Sequence, residues 1–488
     1  MSFISLSYVL FLPAAFIIFH LLKGRHRLYF LFAASLFFYG SWNPYFLPLL
    51  LFVIGVSYGA GAIMFRITGW RKAFVGLSVF LTLLPLAAFK YFNFVNREAG
   101  FLVLGEDGGL FDMYFLLPVG ISFFTFQAIS YILDIYDRRR DPIHDVTTYG
   151  LYICFFPQLV AGPIERSTTL LPQLDNLFNK PHRDHPELIS QNIVTGLRLI
   201  LLGFFKKMVL ADNLAMVVDA IYGSPEEFGG ATLMAATYCF AFQIYFDFSA
   251  YTDIARGSAR LFGVELMENF RLPYMASSIG DFWRRWHISL STWFRDYVYF
   301  RLGGSRENRV IIARNAMTVF VLSGIWHGAN WTFIIWGAIH GAVWIAERAA
   351  RPLTDRFWGL LPDKMIFALA RKALAVLFTF HVVVLAWIFF RAESLGQASY
   401  ILRRIITDPL GGIADYSQFS IFYNSGFAAI LALIAAVEMF RFASKFSLAR
   451  TAWFSTSTWA RLGVYAFAIG AIWILAPFGT GQFIYFRF

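Results

Sequence analysis

The chain has 488 residues, of which 58% are hydrophobic and 19% aromatic, while only 15% are charged. Soluble domains carry about 25% charged residues, and a soluble chain this apolar could not cover its core, so an ordinary water-soluble enzyme is excluded and lipid is the solvent for much of the protein. The net charge of +11 would suggest a nucleic-acid partner in a soluble protein, but here the basic clusters at residues 23–27, 66–72, 138–140, 371–372 and 441–445 flank apolar runs, as the positive-inside rule requires, and no nucleic acid is expected.

In chain order, apolar runs at residues 6–22, 28–39, 45–65, 73–95, 113–136, 148–160, 194–222, 232–248, 315–325, 331–346, 366–390, 425–440 and 462–477 predict helices. The longest match the roughly 20 residues needed to cross a hydrocarbon core. They are apolar all round, whereas strands of a membrane barrel alternate apolar and polar residues. The first run has no basic residue ahead of it and ends in Lys23-Gly24-Arg25-His26-Arg27, which predicts a retained span rather than a cleaved signal peptide. If residues 23–27 are cytoplasmic, the N-terminus lies outside. Several runs are under full length, which predicts half-helices meeting at a cavity. No tandem repeat or soluble domain is visible, and the polar stretch around residues 167–187 is too short to fold alone.

One region breaks the pattern. From Asp247 to Arg309 the chain stays aromatic yet carries Asp247, Asp253, Arg256, Arg260, Glu265, Glu268, Arg271, Asp281, Arg284, Arg285, Arg295, Asp296, Arg301 and Arg306. Charge at membrane depth is expensive and marks functional sites, so this stretch predicts re-entrant or interfacial helices that wall a polar cavity. Cys154 and Cys239 stand inside apolar segments and read as small packing residues; no disulfide framework, zinc spacing or other metal site is expected.

Nine histidines sort by context. His26, His144, His182 and His185 belong to polar loops, His20 to the end of the first span, and His381 and His340 to packing or structural roles. His287 stands in Trp283-Arg284-Arg285-Trp286-His287-Ile288-Ser289, and His327 in Ser323-Gly324-Ile325-Trp326-His327-Gly328-Ala329-Asn330-Trp331. Glycines beside His327 let a backbone or substrate approach its ring, and Trp326 and Trp331 supply rigid walls. A histidine there suits proton abstraction from a hydroxyl, although a structural or ion-pathway role is equally compatible with its context. Nucleotide loops, a Gly-x-Ser-x-Gly elbow and a defensible nucleophile are not found.

Four blocks resemble the membrane-bound O-acyltransferases: Cys154-Phe155-Phe156-Pro157-Gln158-Leu159-Val160-Ala161-Gly162-Pro163-Ile164, Tyr245-Phe246-Asp247-Phe248-Ser249-Ala250-Tyr251-Thr252-Asp253, residues 281–293 and residues 324–331. Tyr39-Gly40-Ser41-Trp42, Phe390-Arg391-Ala392 and Phe483-Ile484-Tyr485-Phe486-Arg487-Phe488 are similar to the alginate O-acetyltransferase branch. The resemblance covers essentially the whole chain. It implies an all-α polytopic membrane protein with about 11–13 transmembrane or re-entrant helices around a central funnel or tunnel. The chain would be a single membrane domain, with N-terminal spans at residues 1–140, a catalytic core at 141–346 and C-terminal spans at 347–488.

The same resemblance makes His327 the active-site histidine and His287 the second polar catalytic position. It implies no cofactor, a cytosolic acyl donor such as acetyl-CoA, a periplasmic acetyltransferase as partner protein, and residence in a bacterial inner membrane. Arg284, Arg285 and Arg295, with Arg301, could then bind donor phosphates, because guanidinium forks suit phosphate; anchoring to headgroups or carboxylates is the alternative. Asp247 and Asp253 would hold such arginines. Trp326 would line the site, and Gln158 and Asn330 would orient the thioester or a histidine, against ordinary interhelical hydrogen bonding. Two rival classes remain: a secondary transporter, against which the absence of related halves counts, and a silent scaffold that recruits an outer-face transferase.

Overall fold

A computed structural model describes residues 1–104, 111, 113–160, 162–179, 186–360, 362, 365–413, 427–443, 458–477 and 483–484. Ala161, His182, His185 and residues 485–488, named above, lie outside the described residues. The described chain is helical, with no strand among the described residues. It forms two compact units: residues 1–203 with 251–268, and residues 204–250 with 269–488.

The first unit begins with α1 (Leu6–Leu21), capped by Ser5, whose hydroxyl accepts from Tyr8 N at 3.2 Å. Arg27, in the first turn of α2 (Arg25–Gly40), donates through Nε to the carbonyls of Leu22 and Phe19 at 2.7 and 3.1 Å. The basic cluster therefore satisfies orphan carbonyls at the end of α1. A turn through Asn43 and Pro44 leads to α3 (Leu47–Met64), and α4 (Arg71–Leu104) follows.

The run predicted over residues 113–136 is helical only in α5 (Ile121–Tyr136). Ahead of it the described chain has no regular secondary structure, and two asparagines of α4 pair with its backbone: Asn93 exchanges hydrogen bonds with Phe115 at 2.8 and 3.0 Å, and Asn96 with Phe111 at 2.8 Å in both directions. The run over 148–160 is likewise divided, into α6 (Val146–Cys154) and α7 (Phe156–Leu159). Pro157 has no N–H for the carbonyl four residues back, and Phe156 N turns to Ser35 Oγ at 3.1 Å. The carbonyl of Tyr152, freed by the break, accepts from Gln158 Nε2 at 2.6 Å and from the side-chain amide of Gln127. Further along, α8 (Ser167–Asn179) and α9 (Pro186–Phe205) follow.

The predicted helix over 194–222 starts earlier, as α9, and is not continuous. A π-helical turn at Lys206–Ala211 separates α9 from α10 (Asp212–Gly223). Next, α11 (Gly230–Leu261) carries regular helix well beyond the predicted end at residue 248, through Asp247, Asp253, Arg256 and Arg260. The charged region thus opens as a helix, and the irregular part begins only after residue 261. In the second unit that part contains two short helices, α12 (Ile279–Trp283) and α13 (Ile288–Phe294).

The helices around His327 are full-length rather than halves. α14 (Arg309–His327) is 19 residues and α15 (Trp331–Gly359) is 29. Asn308 caps α14 by accepting from Ile311 N at 3.0 Å, so the helix begins six residues before the predicted run at 315 and includes Arg309 and Arg314. The two helices form a tight hairpin whose approach depends on missing side chains. A Cβ at Gly324 would lie 2.3 Å from the carbonyl oxygen of Phe333, and one at Gly337 would lie 2.4 Å from that of Phe320. α16 (Met365–Arg391) and α17 (Leu395–Thr407) follow, and the described helices end with α18 (Phe427–Ala443) and α19 (Thr458–Leu475).

Five helices among the described residues are long and apolar enough to cross a membrane: Pro44–Met64, Arg71–Val103, Arg309–His327, Met365–Arg391 and Thr458–Leu475. Shorter apolar helices at Leu6–Leu21, Ile121–Tyr136 and Ala429–Glu438 add to them. The protein is therefore multi-pass. Because the neighbour facing Gly337 is backbone and cannot swing away, Gly337→Val is expected to destabilise the fold by about 1–3 kcal/mol, read as a lowered unfolding temperature in detergent.

Candidate active site

His327 is the last residue of α14, and only 3% of its surface is exposed. Rings enclose it: Trp326 at a centroid distance of 4.9 Å, Trp336 of α15 at 5.0 Å edge-on, and Phe390 of α16 at 5.3 Å. Gly328, next in the chain, is extended, and a Cβ there would sit 2.1 Å from the Phe333 ring. Only glycine lets the chain leave α14 so close to that ring. The hairpin turn then closes through Asn330, which caps α15 by accepting from Thr332 N at 3.1 Å and donates through Nδ2 to Glu393 O at 3.0 Å. Both ends of that amide bond the scaffold, so Asn330 sets the turn after His327.

His287 is fully buried, 0% exposed, and its backbone is left-handed, with φ 43° and ψ 55°. A non-glycine residue holds this conformation only when its surroundings determine it. Asn269 does so: its carbonyl accepts from Ile288 N at 3.0 Å and its Oδ1 accepts from Ser289 N at 3.1 Å, satisfying two orphan N–H groups of α13. Arg271 N donates to Arg285 O at 2.9 Å, which fixes the same two strands of chain one step earlier. On the other side, both carboxylate oxygens of Glu347 accept from Ile279 N, at 3.1 and 3.0 Å, and tie the start of α12 to α15. Phe248 stands edge-on to the His287 ring at 4.6 Å. His287 lies outside the spanning helices, and burial pushes its imidazole down to about 3, so the ring is neutral near pH 7.

The two histidines come together. Their ring centroids are 6.4 Å apart, and Trp326 lies 5.8 Å from His287. An imidazole nitrogen sits little more than about 1 Å from its ring centre, so the nearest nitrogens are about 4 Å apart at best, too far for a direct hydrogen bond and suited to a small polar group between them.

The arginines behave differently. Arg285 Nε meets Asp281 Oδ2 at 3.0 Å and Arg284 reaches the other oxygen of that carboxylate at 3.5 Å, while the Arg284 side chain is 72% exposed. Burial opposes the charge on Asp281, but the Arg285 hydrogen bond and positive charge outweigh it and hold the carboxyl below its usual range. Arg295 pairs with its neighbour Asp296 at 2.7 Å and lies over the Phe300 ring. All three form ion pairs of their own.

Asp247, expected to hold an arginine, pairs among the described residues with a lysine. It is buried with Lys207, whose Nζ lies 3.0 Å from Asp247 Oδ1 and 2.8 Å from Asp212 Oδ1. The other Asp247 oxygen accepts from Ile484 N at 2.8 Å. Asp253 lies 3.9 Å from Arg256, one turn along α11. Gln158 belongs to the first unit, where its amide donates to Tyr152 O and, at 3.4 Å, to Gln127 Oε1; that is the ordinary interhelical bonding weighed above. Cys154 and Cys239 are buried thiols, as expected of packing residues.

Reading the residues alone missed Lys207, Asp212, Asn269 and Trp336. Lys206-Lys207 inside an apolar run was itself a signal, since a cation at membrane depth needs a partner. Asn269 carried none, because a clamp between segments far apart in sequence leaves no local pattern.

The fold and these residues define a class: an all-α, multi-pass membrane protein that buries two neighbouring histidines among aromatic rings. The sequence profile of the membrane-bound O-acyltransferase family matches residues 140–390. The chain is 39% identical over 402 residues to "Probable alginate O-acetylase AlgI" of Azotobacter vinelandii, covering 80% of this chain and 74% of that one. It is 34% identical over 427 residues to "Peptidoglycan O-acetyltransferase" of Helicobacter pylori, covering 81% and 78%. Similarity extends to "Teichoic acid D-alanyltransferase" of Streptococcus thermophilus, 28% identical over 64% of this chain and 74% of that one. The chain belongs to the membrane-bound O-acyltransferase family and is an acyltransferase.

Two outcomes follow from the geometry. Lys207→Met strands two buried carboxylates and is expected to destabilise by about 3–5 kcal/mol, much of it recovered when Asp212→Asn and Asp247→Asn are added, as thermal unfolding in detergent would report. Asn269→Ala removes the acceptor of Ser289 N–H and is expected to cost about 1–3 kcal/mol in the same measurement, while Asn269→Asp, which keeps that acceptor, retains most of the transfer rate.

Proposed function

We propose that the protein transfers an acetyl group from a cytosolic thioester, acetyl-CoA, towards a bacterial exopolysaccharide such as alginate. His327 acts as the general base. It takes the proton from the acceptor hydroxyl as that oxygen attacks the thioester carbonyl carbon; the C–S bond breaks, and the departing thiolate recovers the proton from the imidazolium. His287, neutral and about one hydroxyl's width away, orients the hydroxyl or stabilises the charged His327 ring. The observation that carries this reading is the 6.4 Å spacing of the two buried rings.

The names of the relatives support the substrate class. Alginate, peptidoglycan and teichoic acid are polymers bearing hydroxyl groups, and the groups named are acetyl or D-alanyl. We place the protein in the inner membrane with a periplasmic N-terminus, because residues 23–27 form the first basic loop. A periplasmic acetyltransferase is the proposed partner, receiving the acetyl group on the outer face. Arg284 is the proposed first contact for donor phosphates, since its guanidinium is the most exposed of the three arginines considered.

The test is acetyl transfer by proteoliposomes supplied with labelled acetyl-CoA outside and acceptor polymer inside, with partner protein included. His327→Ala is expected to lower the rate about 10²-fold or more at unchanged thermal stability, and His287→Ala to lower it less. A folded His327→Ala protein that transfers acetyl at the original rate would overturn the reading.

A further inference from the structure

Beside His327 lies a group of buried hydrogen-bond donors that the acyl-transfer scheme above does not use. Trp336 meets the His327 ring at 5.0 Å, stacks on Trp387 at 5.6 Å, and touches His340 at 5.0 Å. Trp387 in turn meets Trp286 at 5.1 Å. All of these rings are fully buried. The indole Nε1 atoms of Trp286, Trp336 and Trp387 have no acceptor among the described residues, and neither has His340 Nε2. Trp283 Nε1 donates to His340 Nδ1 at 3.4 Å, and an indole nitrogen can only donate. His340 Nδ1 is therefore the acceptor, and its proton is on Nε2.

Four N–H donors are thus collected in one contiguous set of rings. Buried polar groups are nearly always satisfied, and each one left alone is costly, so four together call for an acceptor that comes from outside the chain. The set is uncharged and offers donors only. It suits a carbonyl oxygen, which accepts two hydrogen bonds and gains negative charge when attacked. It does not suit a phosphate, which would seek cations, or a sugar hydroxyl, which must also donate. Tryptophan in place of phenylalanine is otherwise hard to account for at three positions sealed from water.

We infer that Trp336, with Trp387, Trp286 and His340, forms a subsite for the carbonyl oxygen of the acyl group undergoing transfer. The inference rests on His327 handling the hydroxyl proton: attack on the carbonyl carbon beside His327 puts developing negative charge on an oxygen that these N–H groups can hold. Neutral donors in a water-excluded site gain strength as that charge grows, so they act on the transition state more than on the bound donor. An ester carbonyl of a lipid could fill the same subsite, but then the N–H groups would not affect the turnover of bound substrate.

The experiment is steady-state acetyl transfer in proteoliposomes by Trp336→Phe and Trp387→Phe, with unfolding temperatures measured alongside and His327→Ala run in parallel. Trp336→Phe is expected to lower kcat on the order of 10²-fold with KM for the donor changed less than about twofold, and Trp387→Phe to lower kcat by a smaller factor. If phenylalanine leaves a packing defect that lowers stability, β-(3-benzothienyl)alanine placed at position 336 keeps the bicyclic shape and removes only the N–H. Full kcat with that residue, or a loss confined to KM, would overturn the subsite. A lipid carbonyl as the occupant corresponds to unchanged kcat and has the same consequence. Activity that survives His327→Ala would instead overturn the proton-transfer reading, so the two failures are separately visible.

Discussion

Lys207, Asp212 and Asp247 are buried together in a protein whose solvent is mostly lipid, and much of the second unit is arranged around that fact. An ammonium flanked by two carboxylates satisfies charges that hydrocarbon could not. The π-helical turn at Lys206–Ala211 lies in the same stretch of chain, so the shift from α9 to α10 and the position of the cation belong to one local feature. Neighbouring Lys206 reaches Ser249 Oγ at 3.1 Å, two residues beyond Asp247 on α11. The spare oxygen of Asp247 accepts from the backbone at Ile484, and Phe483 beside it packs on Phe248 at 5.8 Å. Phe248 is the ring that stands against His287. A buried ion group is thus linked, through Asp247, Ile484 and Phe483, to the ring that Phe248 sets against His287.

The surroundings of His327 depend on close helix approach. In α14 and α15, glycines at 324 and 337 bring backbone against backbone, and the capping amide of Asn330 closes the turn. The consequence for His327 is positional. It terminates one helix while the next folds back to bring Trp336 against its ring, so aromatic packing constrains the imidazole. His287 is held by the complementary device, a strained backbone clamped by Asn269. Two different ways of removing freedom converge on one pair of rings, which suits the proposed positioning of a proton acceptor.

How far the residues alone led depends on the range of each interaction. The multi-pass, all-helical class was legible because hydrocarbon demands long uniform apolar runs, and the breaks near Trp42 and after His327 were legible because Asn, Pro and Gly act locally. The histidine blocks stood out for the same reason: aromatic and glycine neighbours were adjacent in sequence. What failed was set by distant partners. Residues 113–118 looked like helix because they are apolar, but their backbone bonds elsewhere: Asn93, 22 residues before Phe115, takes both its N–H and its carbonyl. Asp247 looked like a counter-ion for nearby arginines, yet a cation that it holds, Lys207, lies 40 positions upstream in an apolar run. The arginines in turn find carboxylates within a turn or less, at Asp281 and Asp296, which is why charge density there predicted ion pairs better than it predicted which ones.

Water exclusion connects these features to the chemistry. A thioester in an open cleft would be hydrolysed by the same base that activates the intended hydroxyl, since water is the smaller and more abundant acceptor. Trp326, Trp336 and Phe390 enclose the His327 ring and leave it only 3% exposed, which hinders bulk water, whereas a hydroxyl delivered on a larger acceptor brings its own binding energy. Burial also keeps His287 neutral, as its proposed role beside a charged His327 ring would need. Charged groups stand near these rings in sequence, in the Lys207 group, whose Asp247 precedes Phe248, and in the Asp281 pairs before His287. Both carboxylates also accept from backbone N–H groups, at Ile484 and Ser277, and so fix the chain on either side.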